Sequence, residues 1–419
     1  MPHSPPRDTP ALTPLTGDRR TSWPVAAVLL AVAWGGNEFT PLLVMYREQG
    51  DMGPVTVDAL LAVYVFGLVP ALLLGGPLSD RFGRRLLLLP AAPVSALGSL
   101  VLALDPASPV VLGIGRLLCG VALGLAMAVG STWLTELSAA TGDRAAGPRR
   151  GSLSLTAGFL SGAGVAAMLA QFAPWPTHLS YVLHAAGALL AGLLLLRVPE
   201  TRPTLPRGVR APLLDDLRIT AIGHPRFLRV VVPLAPWVFG CAGCAFAVLP
   251  SLLTDHVGGI PVAFAGIMAV LALGCGIGVQ VVARRIDTPW SARASVVALA
   301  IVAAGMALAA WASVALSLPL GVVAAMVLGT GYGLSLVAGL SEVVRIAGPG
   351  QLAGLTAVFY SLTYLGFFVP MVLAWLHSIW SYGEMLGFGA VAAALCLAVV
   401  AASSRRALPL ADGDAANRS

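Results

Sequence analysis

Gly76-Pro77-Leu78-Ser79-Asp80-Arg81-Phe82-Gly83-Arg84-Arg85 is the stretch that organises the chain. It reads as a short, charged, glycine-bracketed loop between two long apolar runs, 64–75 and 86–104. Three arginines at the end of an apolar run mark a cytosolic boundary, because positive charge stays on that side of a membrane. Gly76 is expected to let neighbouring backbones approach, and Gly83 to permit a tight reversal. Asp80 among the cations reads as part of a fixed ion-pair cluster.

Outward from this loop the chain is not built for water. Of its 419 residues 58% are hydrophobic and only 11% charged, with a mean hydropathy of +0.87. A soluble domain carries about 25% charged residues. The apolar runs continue from end to end, as in a polytopic membrane protein. Long runs without strict alternation exclude an outer-membrane barrel, so the spans are helices. The net charge of +6 reports membrane orientation, and no nucleic-acid partner is expected. The five cysteines (Cys119, Cys241, Cys244, Cys275, Cys396) lie in apolar runs and read as small packing residues, not disulfides.

Twelve spans are long enough to cross a core of about 30 Å. The first six are 25–46, 57–75, 86–104, 109–133, 152–173 and 179–196; the second six are 228–252, 262–282, 293–315, 318–340, 352–376 and 382–402. Residues 1–22 read as a disordered cytosolic tail, 23–198 and 228–402 as two six-helix bundles, 199–227 as a cytosolic linker, and 403–419 as a cytosolic tail. Arginine placement supports the count and puts both termini inside. All 25 basic residues are arginine, and 23 fall in segments on one side; Arg47 lies on the other and Arg116 within a helix. The halves echo each other: Leu134-Thr135-Glu136-Leu137 after span four matches Leu340-Ser341-Glu342-Val343 after span ten. Gly278 with Arg284-Arg285 reads as a decayed copy of the opening loop.

The opening stretch resembles the signature loop between helices 2 and 3 of the major facilitator superfamily, Gly-x-Leu-x-Asp-Arg-x-Gly-Arg-Arg/Lys, with every fixed position present. The resemblance covers 25–402. It implies an all-α membrane fold of two six-helix pseudo-repeats with a site between them near the midplane. It places Gly76, Asp80, Arg81, Gly83, Arg84, Arg85 and Glu136 in a cytosolic gating motif, and implies that Asp80, Arg84 and Glu136 form an ion-pair cluster latching the outward-open state. Cavity walls in this family come from helices 1, 4, 7 and 10, with help from 5, 8 and 11. That makes Trp237, Phe246, Gln280, Tyr332, Tyr360 and Tyr364 possible lining residues, with ordinary packing the competing reading for each.

Charges do not belong in lipid; one at a helix centre costs about 2.5–3.5 kcal/mol. Asn37 and Glu38 lie inside span one, and Arg116 inside span four. At 1.5 Å per residue, Glu38 and Arg116 both come out roughly 20 Å from the cytosol, so they are expected to pair if the two helices adjoin. Arg116 with Gly120 and Gly124 also resembles the superfamily's second motif, whose arginine is associated with proton transfer. Glu38 is then a proton switch, engaged by substrate or by Arg116 as the cavity changes face. The alternative is a permanent Glu38–Arg116 pair that only fixes packing. Asp58 and Glu384 read as solvated helix-start residues. His184 reads as a satisfied or lipid-adjacent histidine.

Within the superfamily the pattern comes closest to the 12-helix drug–proton antiporters. Their fifth-helix motif is degenerate, however: Gly151, Gly158 and Gly162 keep its spacing, while Ala163 stands for the proline and Ala166-Ala167 for the last glycines. Pro199-Glu200-Thr201-Arg202 occurs in sugar and drug carriers alike. The expectation is a monomeric secondary transporter of the cytoplasmic membrane that exports a small organic molecule against protons, or sodium, by alternating access. The alternatives are metabolite or sugar uptake by symport or facilitation, and a non-transporting sensor on the same fold. No nucleotide loop, metal-ligand cluster or nucleophile elbow is present, so neither enzyme nor cofactor is expected.

Overall fold

Lipid offers the backbone no hydrogen-bond partner, so each apolar run must close its own ladder as a helix. The structure is a computed structural model, and it describes residues 19–49, 52–140, 146–202, 219–348 and 351–405. The helices are α1 (Trp23–Asn37), α2 (Pro54–Phe82), α3 (Arg84–Leu104), α4 (Pro109–Ala139), α5 (Ala146–Phe172), α6 (Leu179–Leu195), α7 (Phe227–His256), α8 (Pro261–Ile286), α9 (Arg293–Ala315), α10 (Leu318–Ile346), α11 (Leu352–Leu376) and α12 (Tyr382–Ser403). Among the described residues ten are long and apolar enough to span a membrane, and α1 and α6 are shorter apolar helices. Most of the first tail, residues 203–218 of the linker and all but the start of the last tail lie outside the described residues.

The structure departs from the sequence reading in two places that matter. The opening stretch is not a loop. α2 runs through Pro77 to Phe82, Gly83 alone breaks it at φ +97°, and α3 begins at Arg84. A Cβ at Gly83 would also strike the Glu200 carboxylate, so glycine is required there twice over. Gly76 has open space around it and admits no backbone approach. Span one, in turn, is not continuous. α1 stops at Asn37, residues 38–42 form turns, and a short helix resumes at Leu43–Gln49. Pro41 has no N–H to continue the ladder, and Gly35-Gly36 weaken the helix before it. Glu38 therefore sits at a break in the helix.

α1 packs on α5 and α6, α2 on α4, and α3 on α4 and α6; α8 and α9 each pack on α10, α9 on α12, and α7 on α10 and α11. Backbones approach closely in the same place in each half. A Cβ at Gly120 would strike the Tyr64 carbonyl of α2, and one at Gly329 the Ala272 carbonyl of α8. The halves meet along two symmetric seams, α2 on α11 and α5 on α8. At the second seam Gln171, ending α5, caps the start of α8. Its Oε1 accepts from the amides of Val262 (3.0 Å) and Ala263 (3.1 Å), and its Nε2 donates to the Gly259 carbonyl (3.1 Å). Exposed tryptophans sit at helix ends (Trp23, Trp175, Trp290, Trp311, Trp375 and Trp380), as in interfacial aromatic belts.

Candidate functional site

Between the two halves lies a small cavity of about 20 Å3. The first half contributes Gly36, Asn37 and Thr40 from the broken span, Leu61 and Tyr64 from α2, Arg116 from α4 and Phe159 from α5. The second half contributes almost only rings: Phe239 and Phe246 of α7, Tyr332 of α10, and Tyr364 and Phe367 of α11. Phe239 stacks on Tyr364 (4.4 Å between centroids) and on Phe367 (4.8 Å). Phe246 is carried on a π-type turn, Cys244–Val248, a distortion common at functional sites. Of the residues singled out as possible lining, Phe246, Tyr332 and Tyr364 lie on this wall, whereas Trp237, Gln280 and Tyr360 do not.

Asn37 is fixed by its neighbours: its side-chain amide donates to the Phe159 carbonyl (2.9 Å), and its Oδ1 accepts from Thr40 Oγ1 (2.9 Å). Arg116 is 1% exposed. Its Nε donates to the Leu60 carbonyl and one Nη to the Gly36 carbonyl, each at 3.2 Å. Its guanidinium lies over the rings of Tyr64 (4.4 Å) and Phe39 (4.8 Å). Among the described residues no carboxylate lies within ion-pair reach of it.

The expected Glu38–Arg116 pair is therefore not made in this structure. The helix break turns Glu38, 0% exposed, away from the cavity and toward α3 and α6. Ser99 Oγ lies 2.6 Å from Glu38 Oε1 and 2.7 Å from His184 Nδ1, and Ser180 Oγ donates to Glu38 Oε2 at 3.3 Å. His184 Nε2 lies 2.9 Å from the Ala31 carbonyl. A carbonyl only accepts, so Nε2 carries a hydrogen and donates it. The row Glu38 Oε1, Ser99 Oγ, His184 Nδ1 then contains two short contacts, which need two hydrogens. Ser99 has one. A second, on Glu38 or on His184 Nδ1, would satisfy both contacts and give the triad one proton more than an ionised carboxylate beside a neutral imidazole. Gly35 makes the arrangement possible, since a Cβ there would strike the His184 ring.

The sequence reading left Ser99 and Ser180 unmarked and took His184 as a satisfied or lipid-adjacent histidine; it is buried and both its ring nitrogens have partners. Their signal was present as polar residues at helical spacing on otherwise apolar helices, Ser95 with Ser99 and Ser180 with His184, although nothing local points them at Glu38. Asp58, expected to be solvated, is 2% exposed and ion-paired with Arg47. Glu384 is exposed and closes a capping box with Ser381.

At the end of the molecule that carries the opening stretch, Arg84 pairs with Asp80 (2.7 Å) and Glu136 (2.8 Å), and its Nη1 reaches Ser79 Oγ. Arg202 pairs with Asp80 at 3.2 Å. Glu200 accepts from the backbone amides of Arg84 (3.0 Å) and Arg85 (2.9 Å), and Arg85 donates to the Leu196 carbonyl (2.7 Å). Thr201 donates to Glu136 at 2.5 Å. Pro199-Glu200-Thr201-Arg202 is thus the seat of the opening stretch. Arg81 closes the last turn of α2. The partners of Asp80, Arg84 and Glu136 among the described residues come from the first half and from Glu200, Thr201 and Arg202 at the start of the linker. In the second half Glu342 pairs with Arg226 and with Arg345 (2.7 Å), and Arg345 pairs with Asp287 (2.6 Å). Gly278 lies inside the unbroken α8 and forms no second loop.

The model of the major facilitator superfamily matches residues 25–371. The probable inositol transporter 3 of Arabidopsis thaliana is 30% identical over 183 residues, which is 40% of this chain and 29% of that protein. Inositol transporter 4 of the same plant is 30% identical over 164 residues, 36% of this chain and 26% of that protein. The chain thus spans less than a third of the length of these curated relatives. Among solved structures, the peptide transporter POT in complex with sulfate superposes with a TM-score of 0.73 at 14% identity, covering 94% of this chain and 96% of that one. A mutant of the nucleoside transporter NupG superposes with a TM-score of 0.70 at 15% identity, covering 92% and 99%. These relatives lend no support to the expected resemblance to drug–proton antiporters in particular. The chain belongs to the major facilitator superfamily and has its all-helical membrane fold.

Proposed function

We propose that the protein is a secondary transporter, not an enzyme, that takes up a small organic solute together with a proton. The observation that carries this reading is the Glu38–Ser99–His184 triad. On this reading it holds one proton in a buried pocket of the first half, across the helix break that bears Asn37 and Thr40 from the solute cavity. A change of conformation that wets or rearranges this break would let the proton leave with the solute. The one carboxylate and few hydroxyls around Glu38 suit a proton better than a hard cation, which takes more oxygen ligands.

Uptake replaces the export expected from sequence. α5 is a single unbroken helix with Ala163 in place of the antiporters' proline, and the relatives found are named as inositol, peptide and nucleoside transporters. The arginine-rich side, with both termini, is assigned to the cytosol and the chain to the cytoplasmic membrane as a monomer.

Purified protein in liposomes, given an acid outside and a panel of polyols, dipeptides, nucleosides and aromatic acids, tests the reading. The expected result is accumulation of one solute against its gradient, with internal acidification. Solute leaving as protons enter, or flux indifferent to the pH gradient, would contradict it.

A further inference from the structure

Among the described residues, Arg116 is the single charged side chain on the cavity wall. With its extra proton the Glu38–Ser99–His184 triad is neutral, whether the proton sits on carboxyl or imidazole, and Asn37 and Thr40 are uncharged. Arg47 and Asp58 neutralise each other. Glu38 makes its side-chain contacts with Ser99, Ser180 and His184, not with Arg116. The two carbonyls and two ring faces that receive the guanidinium offer dipoles and quadrupoles, which orient a cation without neutralising it. A buried charge is ordinarily met by an opposite one, and here the position of that partner is the cavity itself. The opposite wall is the stacked group of Phe239, Tyr364 and Phe367 beside Tyr332, which suits a flat or apolar body and has no cation or anion of its own.

We propose that the substrate is a small monocarboxylate with a ring or apolar body, its carboxylate seated on Arg116 and its body against the aromatic wall. The guanidinium suits this role because its planar fork presents parallel N–H donors to a carboxylate, and Tyr64, stacked on Arg116, holds the fork in one plane. The proposal rests on the proton-coupled reading, since a protonated, neutral triad is what leaves Arg116 uncompensated. Anion and proton would then enter together as an electrically neutral load.

The test uses the full-length protein in lipid nanodiscs and titrates four probes by calorimetry: benzoate, 3-phenylpropionate, and the neutral amide of each. The expected result is at least tenfold tighter binding of a carboxylate than of its amide. Arg116→Gln should abolish that preference while Arg116→Lys retains part of it, both at an unchanged melting temperature. Equal binding of acid and amide by the unaltered protein, or no binding of either acid, overturns the proposal and needs no variant that folds. The two readings fail separately. Proton-driven uptake of a neutral solute only would sink the carboxylate and keep the symport. Tight carboxylate binding and flux with no proton movement would do the reverse.

Discussion

The two halves meet the same cavity with different chemistry. The first presents Asn37, Thr40, Arg116 and Tyr64, with the Glu38–Ser99–His184 triad directly behind them; the second presents stacked rings. Both share one helix-packing plan, down to the glycine contacts of α2 with α4 and α8 with α10. Repeat architecture therefore sets where side chains point, while the choice of side chain divides the labour: charge and proton on one face, shape on the other. The ends that carry the arginine clusters differ too. Arg226 and Glu342 of the second half are 0% and 1% exposed, whereas Asp80 of the first half is 45% exposed.

That last contrast predicts the largest effect. Arg226→Ala strips a buried carboxylate of its main partner and should cost about 3–5 kcal/mol, read as a lowered melting temperature in detergent. Asp80→Ala, at a half-exposed site, should cost about 1 kcal/mol or less. Equal losses would erase the distinction between the two clusters.

The division of labour across the cavity is sharpened by kinetics. Phe239→Ala removes the ring on which Tyr364 and Phe367 both stack, and should raise KM about tenfold, as truncating a buried aromatic anchor does, with the proton-to-solute ratio unchanged. Glu38→Gln should abolish proton-driven accumulation and leave exchange of solute across the membrane. If Phe239→Ala altered the ratio, the separation of shape from coupling would fail.

The smallest effect belongs outside both faces. Ser381→Ala removes the capping box of α12 at its exposed start and should lower stability by about 1 kcal/mol without changing transport.

Much of the fold was legible in the sequence. Gly83 needs its positive φ, arginines recur in alternate connections, and the Glu136 and Glu342 segments repeat. Local chemistry determines each of these. The break after Asn37 was legible in part, since Pro41 was visible but its consequence for Glu38 was not. Depth along a helix put Glu38 and Arg116 at one level, but depth says nothing about azimuth, and the break turned Glu38 toward α3 and α6. Its partners lie 61 residues away at Ser99 and 142 away at Ser180. Pairings of that kind are decided by how helices pack, which single-sequence periodicity does not contain. The opening stretch read as a glycine-bracketed loop, yet α2 runs on to Phe82, and Glu200, distant in sequence, accepts from the amides that open α3.

The central claim is that the triad carries one proton. Infrared difference spectroscopy of the protein in lipid, stepped from low to high pH, reads it directly. The account predicts the loss of one protonated-carboxyl C=O band or one imidazolium band, absent from Glu38→Gln and shifted in Ser99→Ala. Spectra of the unaltered protein and Glu38→Gln that match, with a carboxylate ionised and an imidazole neutral throughout, would contradict it.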